Sequence, residues 1–89
     1  MINITYYMLG AEHSRDIDIS DFRDYINEWS ENLLCSINIL GHPYGNDDIY
    51  LVEFIHENEG SYGINIIDAS HDDNTDIVKE LIEGGAVYI

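Results

Sequence analysis

Positive charge is nearly missing from this chain: 3 lysines and arginines stand against 18 aspartates and glutamates in 89 residues. That scarcity excludes direct binding to nucleic acid, whose phosphates are neutralised by cations. It also excludes an enzyme that grips phosphates, and no glycine-rich phosphate loop is present. Cysteine occurs once, at Cys35, so no intrachain disulfide framework exists, and Cys35 reads as a small buried hydrophobe. Proline also occurs once and no Ser/Gly-rich run is present. No linker is visible, and residues 1–89 read as a single domain with a modest core. No apolar run approaches the roughly 20 residues of a membrane span, and Met1 to Leu9 carries no basic n-region. The expected site of action is therefore the cytoplasm, with no membrane partner.

Catalytic signatures are missing as well. The histidines His13, His42, His56 and His71 show no metal-ligand spacing with one another or with Cys35. Asp72 to Asp76 lacks the glycine and the closing glutamate of a calcium loop, and helix capping explains it better. No serine sits in a nucleophile elbow. The expectation is a protein that is not an enzyme and has no catalytic residue, cofactor or metal.

What the chain does have is acid and enough apolar surface to fold. The formal net charge is −15 at pH 7, with 45% hydrophobic residues, seven Tyr, two Phe and one Trp. A small domain needs a net charge of only about 2–8 for solubility. Disordered acidic tails lack aromatics; this is a folded domain with an acidic skin. Carboxylates crowded on a small surface repel, so a charge this far beyond need points to a strongly positive partner.

The pattern along the chain gives the elements. Ile2 to Leu9 is β-branched and aromatic and reads as a strand ended by Gly10. Ala11 to Ile19 is polar and reads as a loop, and Ser20 as a helix N-cap. Phe22, Ile26, Trp29 and Leu33 fall within roughly 60° of one another on a helical wheel. Asp21, Asp24, Glu28 and Glu31 form a second arc roughly opposite. Leu34 to Leu40 reads as a strand, and Gly41 to Asp48 as a turn-rich loop. Ile49 to Glu57 and Tyr62 to Ala69 read as an antiparallel pair around a Glu59-Gly60 tip. Residues 71–75 offer caps for a second helix. Ile77, Val78, Leu81 and Ile82 are its inner face; Asp73, Asp76, Glu80 and Glu83 its outer one. Gly84-Gly85 stops it, and Ala86 to Ile89 reads as a last strand. The order β-α-β-β-β-α-β predicts an α+β domain, a mainly antiparallel sheet with two amphipathic helices.

Carboxylates at i and i+3 or i+4 recur about 5–6 Å apart along a helix. Phosphate charges along a nucleic-acid strand recur on a similar scale, about 3.4 Å per step along the axis. An ordinary solvated helix face mixes lysine with glutamate, since such pairs stabilise the helix. Here the first helix has only Arg23 and the second only Lys79. The expected partner-binding residues are therefore Asp21, Asp24, Glu28 and Glu31, then Asp73, Asp76, Glu80 and Glu83. Tyr44, beside Asp47 and Asp48, is added as an aromatic interface anchor.

With its small size, scarcity of bases and carboxylate rows, the chain resembles the acidic DNA-mimic proteins by which phages and mobile elements block host nucleases. Arn-type and Ocr-type antirestriction proteins and several anti-CRISPR inhibitors belong to that class. The resemblance spans the chain but includes no alignable motif. It implies occupation of the positively charged DNA cleft of a restriction enzyme or CRISPR effector in the host cytoplasm. It also implies a dimer. Ile2–Leu9 and Ala86–Ile89, apolar and free of acid, are the strand edges expected to pair. The alternative is an acidic immunity protein or antitoxin that blocks a basic nuclease toxin.

Overall fold

The computed structural model describes residues 1–84 and the backbone of 86–88. The chain runs β1 (Ile2–Met8), β2 (Ala11–Ile17), α1 (Ile19–Asn27), a π-helical turn (Glu28–Asn32) and β3 (Cys35–Gly41). A 3-10 turn (Pro43–Gly45), β4 (Ile49–His56), β5 (Gly60–Asp68), α2 (Thr75–Glu83) and β6 (Ala86–Tyr88) follow. The strands form one sheet in the order β2-β1-β5-β4-β3-β6. Five of them pair antiparallel, and β6 lies parallel to β3. The fold is α+β, with one strand more than the sequence pattern predicts.

That strand is β2, which overturns the loop expected over Ala11 to Ile19. Leu9 and Gly10 both take positive φ, 55° and 78°, the combination that closes a two-residue hairpin in the twist of its strands. β2 lies at the sheet edge and needs little apolar content. Its outward side chains pair with polar partners on β1: Asn3 Nδ2 donates to Ser14 Oγ at 2.8 Å and to Asp16 Oδ1 at 2.9 Å. The hairpin also buries β1 between β2 and β5, so Ile2–Leu9 is not a free edge. Of the two edges expected to be apolar, only Ala86–Tyr88 lies at the rim; Ile89 and Gly85 fall outside the described residues.

Helix α1 starts two residues earlier than its sequence signal. Asp18, not Ser20, is the N-cap; its carboxylate accepts from the Asp21 backbone N–H at 2.9 Å. Ser20 donates its hydroxyl to the same carboxylate. These two donors, the backbone N–H first, hold the Asp18 carboxyl below its usual range. Phe22 and Ile26 are buried as their spacing predicts, and Trp29 is half-buried. Leu33 is not on the core stripe and is 39% exposed. The helix widens into the π turn, where the Leu33 N–H reaches back five residues to the Glu28 carbonyl. The extra residue in that turn rotates Leu33 off the apolar face.

Phe22, Ile26, Val78 and Ile82 join Ile2, Ile4, Ile37, Val52, Phe54 and Ile67 in one apolar cluster. Both helices therefore cover the same face of the sheet. Helix α2 begins at Thr75, with Asn74 as N-cap. The Asn74 backbone N–H in turn donates to Asp72 Oδ1 at 2.7 Å. Gly84 ends the helix in a right-handed conformation, its N–H on the Glu80 carbonyl. Among the described residues no helix is long and apolar enough to cross a membrane.

Candidate partner-binding surface

The expected carboxylates divide into two groups in space. Asp21, Asp24 and Glu28 are exposed along α1 and the start of the π turn. They border a groove of about 700 Å³ between α1 and the β2, β1 and β5 strands. Glu31, one turn further on, is exposed but does not reach the groove. Three of the four carboxylates expected roughly opposite the core stripe thus form one bank of a cleft.

The groove floor is aromatic. Tyr25 and Trp29, both half-buried, come from the helix side, and Phe54 and Tyr62 from the sheet. Trp29 stacks on Phe54, with ring centres 4.5 Å apart at 15°, and lies 6.2 Å from Tyr62. Tyr62 reaches this face because β5 bulges opposite Phe54 and Ile55, where Gly63 takes φ 137°. A bulge shifts the side-chain alternation by one, which turns Tyr62 toward the helices. Tyr25 is anchored by Asn65, whose side-chain N–H donates to the phenol oxygen at 2.8 Å. Burial pushes the Tyr25 phenol up to about 12, against the smaller opposing pull of Asn65 and Arg15. It stays protonated at any physiological pH.

The second group lies between the 3-10 turn loop and α2. Asp47, Asp48, Asp76 and Glu83 line a smaller cavity of about 320 Å³ together with Lys79, His42 and Tyr50. Asp47 and Asp76 are exposed, whereas Asp48 and Glu83 are half-buried. Glu80 is exposed on α2 outside this cavity. Asp73 is exposed in the turn that precedes α2, not on the helix. Tyr44 is 90% exposed. It sits between Pro43 and Gly45 in a left-handed conformation, φ 61°, which is uncommon for a side chain of this size and projects the ring into solvent.

Between described residues, ion pairing consumes almost none of this charge. The one ion pair within 4.0 Å joins the Met1 ammonium to Asp72 Oδ2 at 3.2 Å. The Asn74 N–H first, and then that ammonium, hold the Asp72 carboxyl below its usual range. Arg15, Arg23 and Lys79 have no carboxylate partner at that distance among the described residues.

Among the described residues no three His, Cys, Asp or Glu side chains are placed to hold a metal ion. Cys35 is buried, and burial pushes its thiol up, away from the reactive thiolate. Comparison with known protein families, characterised proteins and solved structures returns no match to this chain.

Sequence reasoning placed the α1 carboxylates but missed their setting. Trp29 packs against the core as its spacing predicts but also lines the groove, and the pattern singles out no site at Tyr25, Tyr62 or Arg15. The available signal was the pairing of Tyr25 and Trp29 four residues apart, next to Asp21, Asp24 and Glu28 on the same helix.

Proposed function

We propose that the protein is a stoichiometric inhibitor that occupies the positively charged nucleic-acid cleft of a nuclease, such as a restriction enzyme or CRISPR effector of a host cell. Its carboxylates would stand where the cleft expects phosphates. One observation carries this reading: a net charge of −15 coexists with a single ion pair between described residues. Some carboxylates cap turns and helices, as Asp18 and Asp72 do, but only Asp72 has its charge met by a cation within 4.0 Å between described residues. The two helices that carry these carboxylates pack on the same face of the sheet. The longest dimension of the molecule, 36 Å, matches about 10 base pairs at about 3.4 Å each. The protein itself would not bind nucleic acid.

A second reading is favoured by the aromatic groove, which a pure phosphate mimic does not require. An acidic immunity protein or antitoxin would cover one basic nuclease toxin with a few carboxylates and aromatics. The two readings differ in breadth: a mimic displaces DNA from several unrelated basic proteins, an immunity protein from one.

Charge reversal tests the surface. Asp24→Lys with Glu28→Lys should abolish inhibition without unfolding the domain, since both side chains are exposed. Full inhibition by the doubly reversed protein would remove α1 from the contact surface. Assembly is part of the proposal: a homodimer paired along Ala86–Tyr88 would double the charged length, and screening by salt should strengthen it. Sedimentation at a constant 10.2 kDa across protein and salt concentration would leave a monomeric inhibitor.

A further inference from the structure

We propose that the groove beside α1 is an arginine-docking site, which takes an arginine-bearing segment of the basic partner with a guanidinium laid on the aromatic floor. This rests on the reading of the acidic face as a partner surface and names the chemical group that the face selects. Three observations converge on it. The bank formed by Asp21, Asp24 and Glu28 is anionic, and the aromatic side chains of Tyr25, Trp29 and Tyr62 line the groove beside it. Carboxylates beside aromatic rings suit a planar, weakly hydrated cation, which can stack on a ring and donate two hydrogen bonds to a carboxylate at once. A lysine ammonium is a compact, strongly hydrated charge and gains less from the rings.

The chain also contains its own example of the contact. Arg15, from β2, is the only cation lining the groove, and its guanidinium carbon lies 5.7 Å from the centre of the Tyr25 ring. It makes no ion pair within 4.0 Å among the described residues. The Tyr25 ring already has a guanidinium over it, and Asp21, Asp24 and Glu28 make no ion pair within 4.0 Å among the described residues. Finally, Tyr7 and Met8 at the β1 end of the groove are 67% and 51% exposed. They give an apolar shelf for the backbone and stems of an incoming segment.

Trp29 is the only tryptophan in the chain and sits in the groove, so its emission reports occupancy directly. The probe is the peptide acetyl-Gly-Arg-Gly-Arg-Gly-amide, with its lysine counterpart as control. The arginine peptide should shift Trp29 emission saturably and bind about two- to fivefold tighter than the lysine one, the scale of a surface cation–π gain. Asp24→Asn with Glu28→Gln should weaken it about tenfold. The same loss of charge on α2, Asp76→Asn with Glu80→Gln, should leave it within about twofold. Arg15→Gln should tighten binding more than Arg23→Gln, which removes equal charge outside the groove. Equal binding of the two peptides, equal effects of the two carboxylate pairs, or no change in emission would each overturn the groove site. DNA displacement by a protein whose Trp29 ignores the peptide would sink the groove alone. A responsive Trp29 without DNA displacement would sink the inhibitor reading alone.

Discussion

Raising the salt concentration should stabilise this fold, and the size of the effect can be worked from its dimensions. The radius of gyration is 12.2 Å, which corresponds to a uniform sphere of radius about 16 Å. Spreading a charge of −15 over that sphere costs about 19 kcal/mol at 0.01 M salt and about 11 kcal/mol at 0.1 M, as the screening length falls from about 30 to about 10 Å. The unfolded chain, about 30 Å in radius of gyration, carries about 5.3 and about 2.5 kcal/mol on the same basis. The folded state therefore gains about 5 kcal/mol relative to the unfolded one across this range. For a domain of this length that is a rise in Tm of about 20 °C or more. Thermal melts followed by circular dichroism at pH 7 measure it. Magnesium chloride at equal ionic strength should give the same rise. A Tm that stays flat or falls would mean that the acids are locally compensated, and a rise confined to magnesium would mean coordination. Either result refutes screening of unpaired charge.

Two further outcomes follow from individual side chains. Tyr25→Phe removes the acceptor of the buried Asn65 amide, which is 7% exposed, and should cost about 1–3 kcal/mol in urea denaturation; an unchanged midpoint would show that Asn65 finds another partner. Asp18 and Asp72 both have folded-state pKa values below the ordinary 3.8, so their stabilisation is complete above about pH 4 and is lost as pH falls through the lowered values. Asp18→Asn keeps an N-cap acceptor without the titration, so its stability should fall less steeply below pH 4 than that of the unaltered protein; parallel acid limbs would show that Asp18 contributes no pH dependence.

Elements with a strong apolar period were legible in the sequence. Phe22 and Ile26 marked α1, Val78 and Ile82 marked α2, and the runs around Val52 and Ile67 marked β4 and β5. β2 was not legible, because an edge strand covered on one side satisfies Ser14 and Asp16 through Asn3 rather than through burial. Nothing in residues 28–32 announces a π turn, yet that turn moved Leu33 off the core. The carboxylate row of α1 could be read because helical spacing fixes it. The groove beside it could not, since Tyr25 and Asn65 meet across 40 residues of sequence and a bulge at Gly63 decides which way Tyr62 faces.

The most direct measurement of the central claim is displacement of a labelled DNA duplex from several unrelated basic DNA-binding proteins, followed by fluorescence anisotropy over a salt series. Equimolar protein should displace the duplex from more than one of them at low salt, with association slowing steeply as salt rises while dissociation changes little. Asp24→Lys with Glu28→Lys should lose that activity. Displacement from a single nuclease would favour the immunity-protein reading, and displacement from none, at any salt concentration, would contradict the use of this acidic surface against nucleic-acid clefts.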